Sequence, residues 1–193
     1  MSSKHVYIIA GCNGAGKTTA SYTILPEILQ CFEFVNADEI AKGLSPFRPE
    51  TVSFEAGRIM LQRIQHLLKE GSTFAFETTL ASKTYKQKIM DARKSGYTVS
   101  LLFFWLNSVE LAKERVKTRV LEGGHNIPEE VIERRYYNGI KNLFDLYIPV
   151  VDNFLLFDNS ELKTELIVEK RIDSDYNILD SIKYDAFKLL YHG

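Results

Sequence analysis

The run Gly11-Cys12-Asn13-Gly14-Ala15-Gly16-Lys17-Thr18, set directly behind the apolar stretch Val6-Tyr7-Ile8-Ile9-Ala10, constrains this chain more than any other feature. It satisfies G-x-x-x-x-G-K-[ST], and the physics of that pattern demands these flanks. A buried strand ends, glycines let the backbone curl with its N–H groups turned inward, and a helix begins with the positive end of its dipole toward the enclosed anion. A strand-loop-helix of this kind holds nucleotide phosphates. Lys17 reaches the β- and γ-phosphates as a flexible point charge, and the Thr18 hydroxyl suits Mg²⁺. Gly11 to Thr18, with Thr19 behind them, are the expected contacts to ATP or GTP.

The remainder reads as one α/β domain over residues 1–193. Apolar, β-rich runs at Val6–Ala10, Glu33–Asn36, Thr73–Glu77, Thr98–Leu106 and Asn153–Phe157 alternate with helical patterns. Those patterns lie at Thr18–Gln30, Glu50–Glu70, Lys83–Ser95, Glu110–Leu121 and Pro128–Tyr147. The alternation predicts a mainly parallel five-stranded sheet flanked by helices, the architecture of a P-loop NTPase of the small-molecule kinase type. After Asp158 the pattern changes. Leu162–Ile172 predicts a further strand, antiparallel at the sheet edge, before a last helix from about Ile178 to Leu190. Gly123-Gly124 separates two arginine-bearing helices where small P-loop kinases carry a lid, which places the expected lid at about 115–135.

Composition narrows the partners. A net charge of −1 gives no global attraction to nucleic acid. No segment approaches the ~20 consecutive apolar residues of a membrane span, and the chain enters its first strand without a signal-peptide core, so the expected location is cytoplasmic. Cys12 and Cys31 are too few for a disulfide framework or a metal site and read as free thiols.

A phosphate loop alone does not separate a kinase from a switch, so the acids at the strand ends decide the class. Parallel strands deliver their C-terminal ends to the edge that carries the phosphate loop. The second strand ends in Asn36-Ala37-Asp38-Glu39, which puts Asp38 beside the γ-phosphate, where it is expected to take a proton from an acceptor hydroxyl or orient it for attack, a role that can coexist with capping the helix that follows. The third strand ends in Phe76-Glu77-Thr78-Thr79-Leu80, and Glu77 there can hold Mg²⁺ through water or bind an acceptor hydroxyl. Arg115 and Arg119 share a helix face, while Arg134 and Arg135 follow the glycine pair; at least one of the four is expected to stabilise charge in transfer. His125 could touch phosphate, although a lone loop histidine is more often structural or solvent-facing. Ile132, Tyr136, Ile140, Leu143 and Tyr147 form one helical apolar stripe and read as core.

Taken together, Ala10 to Thr18, Asn36-Ala37-Asp38-Glu39-Ile40-Ala41, Phe76-Glu77-Thr78-Thr79-Leu80 and Gly123-Gly124-His125-Asn126-Ile127-Pro128-Glu129-Glu130 resemble the zeta-toxin family of P-loop phosphotransferases in its short form. The resemblance covers about residues 5–147. It implies Mg²⁺-dependent transfer from ATP or GTP to a small hydroxylated acceptor, in the family a UDP-activated amino sugar, and restraint by an antitoxin protein that blocks the nucleotide site. By position it makes Lys17 the phosphate-binding lysine, Thr18 the magnesium ligand, Asp38 the base and acceptor contact, and Glu77 with Thr79 acceptor-binding groups. Arg119, with Arg115 as its rival, looks like the lid arginine. Two departures stand out. Ala81-Ser82-Lys83 occupies the stretch where UDP-sugar kinases of the family carry an arginine, and no second lid arginine precedes Pro128, so Arg134 or Arg135 would have to substitute. The competing class is a nucleotide-dependent binding or regulatory NTPase with slow hydrolysis. A nucleic-acid end kinase would need a basic track that the near-neutral charge does not supply.

Overall fold

The computed structural model describes residues 4–124 and 126–192; His125 lies outside the described residues. Its elements are β1 (Lys4–Gly11), α1 (Lys17–Thr23), β2 (Phe34–Val35), α2 (Ala37–Leu44), α3 (Ser53–Glu70), β3 (Phe74–Thr78), α4 (Tyr85–Lys94), β4 (Tyr97–Trp105), α5 (Val109–Leu121), α6 (Glu129–Asn142), β5 (Asn153–Asp158), β6 (Glu165–Lys170), β7 (Asn177–Ile178) and α7 (Ser181–His192).

The strands form one sheet in the order β2-β3-β1-β4-β5-β6-β7. β1 lies between β3 and β4, and the first five strands run parallel. Their C-terminal ends therefore share one edge, and the phosphate loop leaves from its centre. β1 and β4 are almost wholly buried along their length, which is why both read as continuous apolar runs rather than alternating ones. The helices pack stripes onto this sheet. Ala56, Met60, Ile64 and Leu67 give α3 a buried face at helical spacing, and Ile132, Tyr136, Ile140, Leu143 and Tyr147 do the same for α6 and the wide turn that prolongs it. The stripe predicted as core is core. Each of the Met, Ile and Leu side chains contributes about 1.5–3 kcal/mol by leaving water.

The sheet has seven strands, not the five expected. β6 pairs antiparallel with β5, as the sequence after Asp158 predicts, and β7 adds two residues beyond it. Asn177 and Ile178 are both exposed, so β7 carries no alternation from which a strand could be read. The last helix begins at Ser181, slightly later than predicted, with the Asp180 carboxylate accepting from the Lys183 N–H at 2.9 Å. The helix α2 is short and stands between a two-residue strand and a 3₁₀ turn, which left it visible only as the helix that Asp38 could cap.

Gly123-Gly124, read as a flexible point, closes α5 in a Schellman arrangement. The Gly123 N–H donates to the Val120 carbonyl at 3.1 Å and the Gly124 N–H to the Arg119 carbonyl at 2.8 Å. Gly123 has φ +92°, and a Cβ on Gly124 would stand 2.8 Å from the Arg119 oxygen, so both positions need glycine. Among the described residues no helix is long and apolar enough to cross a membrane.

Candidate active site

The phosphate loop is tight enough to exclude side chains. Gly11, Gly14 and Gly16 all have positive φ, and a Cβ would stand 2.2 Å from the Phe104 carbonyl oxygen at Gly11, 2.9 Å from the Ala112 oxygen at Gly14 and 2.5 Å from Asn159 Nδ2 at Gly16. A Gly11→Ala variant should therefore bind nucleotide at least tenfold more weakly, measured by titration with a fluorescent ATP analogue. Asn159 braces the loop from outside by donating from Nδ2 to the Ala15 carbonyl at 2.9 Å. Cys12 is buried, and burial pushes its thiol up to about 11; what it gives the site is its carbonyl, which accepts from Lys17 Nζ at 2.8 Å. Thr19 is exposed on the first turn of α1.

The strand ends converge on Glu77. Its carboxylate accepts from the Thr18 hydroxyl at 2.8 Å and from Asn36 Nδ2 at 3.0 Å, and it lies 3.5 Å from Lys17 Nζ. Lys17 and Glu77 are nearly buried, at 6% and 11% exposure, so each charge depends on the other for compensation. Mg²⁺ commonly binds through one or two protein oxygens together with substrate phosphates, and Thr18 Oγ1 beside the Glu77 carboxylate offers that donor set.

Asn36 settles the reading of its neighbour. Its side-chain oxygen accepts from the N–H groups of Asp38 at 2.8 Å and Glu39 at 3.4 Å, so Asn36, not Asp38, caps α2. The Asp38 carboxylate is released toward the cleft. That cleft, of about 200 Å³, is lined by Lys17, Asp38, Glu77, Thr79 and Arg135 among others. A second one of about 270 Å³ adjoins it, shares Asp38 and Arg135, and runs between α2 and the start of α6.

The arginines divide. Arg115 donates to the carbonyls of Asn159 and Ser160, both at 2.8 Å, which commits it to holding the chain after β5. Arg119 has buried Nε and Nη2 atoms with no hydrogen-bond partner among the described residues, and it lines neither cleft. Arg134 is exposed. Arg135 reaches the loop itself, donating to Asn13 Oδ1 at 3.2 Å; burial pulls its pKa down, while the nearby Asp38 carboxylate opposes that.

A family model described as Zeta toxin matches residues 2–161. The chain belongs to the zeta toxin family. An uncharacterized protein of Haemophilus influenzae is 30% identical to it over 136 residues, 70% of this chain and 94% of that one. Two solved structures share the fold. The AvrRxo1-ORF1:-ORF2 complex with ATP superposes with TM-score 0.74 at 16% identity, covering 96% of this chain, which spans 63% of the matched chain. The PezAT toxin-antitoxin system of Streptococcus pneumoniae gives TM-score 0.69 at 14% identity, covering 100% of this chain and 80% of the other.

In this zeta toxin family member the sequence motifs meet in one place. Lys17, Thr18, Asp38, Glu77 and Thr79, scattered over three strand ends, line or border a single cleft. Sequence reasoning missed Asn36 as cap and Glu77 partner, and it missed Asn159 altogether. Asn36 had a signal, an Asn immediately before a short apolar-periodic stretch; Asn159, in a loop after a strand, had none.

Proposed function

We propose that the protein transfers the γ-phosphoryl group of ATP or GTP to a hydroxyl of a small molecule. The observation that carries this reading is the cleft that puts the Asp38 carboxylate, the Thr79 hydroxyl and the head of the phosphate loop side by side. Bound with Mg²⁺, the nucleotide supplies an electrophilic phosphoryl group. Lys17 and the loop N–H groups orient its phosphates; Thr18, backed by Glu77, would hold the metal. Asp38 accepts the proton of the acceptor hydroxyl as that oxygen attacks the γ-phosphorus, the bond to the β–γ bridging oxygen breaks and the nucleoside diphosphate leaves. Thr79, and Glu77 where its second oxygen is available, fix the acceptor. Arg119 closes over the charge that develops in transfer, with Arg135 in the place of the absent second lid arginine.

The first acceptor to test is a UDP-activated amino sugar, supported by family membership; Ala81-Ser82-Lys83 offers it no arginine. A cytoplasmic location and an antitoxin partner that covers the nucleotide site complete the proposal, the partner supported by family membership and by the fold shared with the PezAT toxin-antitoxin system. The competing regulatory reading predicts slow hydrolysis without transfer. An Arg119→Ala variant tests the part of this arginine: turnover should fall by about 10³ while nucleotide affinity changes less than about fivefold, in paired titration and single-turnover experiments. Equal losses in both would make Arg119 a nucleotide anchor instead.

A further inference from the structure

Thr79 stands on a loop that α6 holds from behind. Three main-chain carbonyls of that loop meet α6 or its extension. The Thr79 oxygen lies so close to Gly139 that a Cβ there would stand 2.5 Å away. The Leu80 oxygen accepts from Asn142 Nδ2 at 2.8 Å, and the Ser82 oxygen accepts from the Tyr147 hydroxyl. Gly139, Asn142 and Tyr147 are all buried. Between them Leu80 takes φ +56°, a left-handed backbone that residues other than glycine adopt uncommonly and hold only where the surroundings over-determine it. Its side chain is fully buried, and its N–H donates to Thr78 Oγ1 at 3.1 Å. The next N–H, of Ala81, donates to Thr79 Oγ1 at 3.4 Å. The same helix presents Arg135 to Asn13 of the phosphate loop.

We propose that α6 is the element that registers the acceptor loop against the phosphate loop, with Gly139 and Asn142 as positioning residues that set where Thr79 and Ser82 meet the acceptor. This rests on the reading of the Thr79 loop as the acceptor side of the cleft. Neither residue lines that cleft, so neither acts by touching substrate. Gly139 permits the close approach, Asn142 pins the kink at Leu80, and the loop keeps a geometry it would not hold alone.

The test pairs Asn142→Leu with Gly139→Ala, and uses Asn138→Ala, exposed on the same helix, as control. In hydrogen exchange, the amides of Leu80 and Ala81 should lose at least tenfold protection in both variants and in neither case in the control. Affinity for a fluorescent ATP analogue with Mg²⁺ should stay within twofold. With UDP-N-acetylglucosamine as acceptor at saturating Mg·ATP, KM for the acceptor should rise at least tenfold and kcat fall less than threefold. Unchanged protection at Leu80 and Ala81 in both variants would overturn the proposal, as would a loss of nucleotide affinity matching the loss of protection. Failure of the unmodified protein to phosphorylate this sugar would strike the choice of acceptor, while the exchange pattern still decides the role of α6.

Discussion

An Asp38→Asn variant is expected to bind Mg·ATP within about twofold of the parent and to turn over about 10²- to 10⁴-fold more slowly. The separation follows from Asn36. Because Asn36 caps α2, the Asp38 side chain contributes nothing to the helix start that Asn cannot match, and only its N–H enters the capping geometry. The substitution keeps size and shape and removes the capacity to take up a proton at neutral pH. Arg135, whose charge Asp38 supports across the cleft, loses that support but keeps its bond to Asn13. A parallel fall in thermal stability would mean that the carboxylate serves the fold; turnover equal to that of the parent would remove Asp38 from the chemistry.

Lys17→Ala should abolish transfer and weaken nucleotide binding, and it should also cost stability. Lys17 is the cation that compensates Glu77 in a nearly buried pair, and stripping one member of such a pair costs about 3–5 kcal/mol when the other stays charged. The two effects are separable. In a Lys17→Ala, Glu77→Gln double variant the orphaned charge is gone, so stability should largely return, read by denaturant unfolding, while transfer remains below detection. Recovery of transfer in the double variant would show that Lys17 acts on Glu77 alone and not on phosphate.

The parts of this fold legible in the sequence are those where one physical rule dominates. The phosphate loop is such a case, because three glycines with positive φ and sub-3 Å Cβ approaches leave the sequence no alternative. So is the buried stripe of α6, where helical spacing and core burial coincide. Strand ends delivered Asp38 and Glu77 to the right edge because a parallel sheet gives no other outcome. Legibility fails where a residue's role is fixed by a distant partner. Arg115 and Arg119 are equivalent on the helix surface, and only the carbonyls of Asn159 and Ser160, more than forty positions away, distinguish Arg115 by engaging its guanidinium. The glycine pair after α5 reads as freedom from composition and as a cap from geometry. β7, exposed and two residues long, is held by pairing with β6 rather than by any pattern of its own.

The most direct test of the central claim is to incubate the purified protein with Mg·ATP and a pool of nucleotide sugars and other hydroxylated metabolites, and to search by mass spectrometry for a phosphoryl group gained. The account predicts that one small hydroxyl compound gains a phosphate in the parent protein and that none does with Asp38→Asn over the same interval. Slow release of inorganic phosphate with no compound gaining mass, unchanged by Asp38→Asn, would contradict it and leave a nucleotide-dependent regulatory protein in its place.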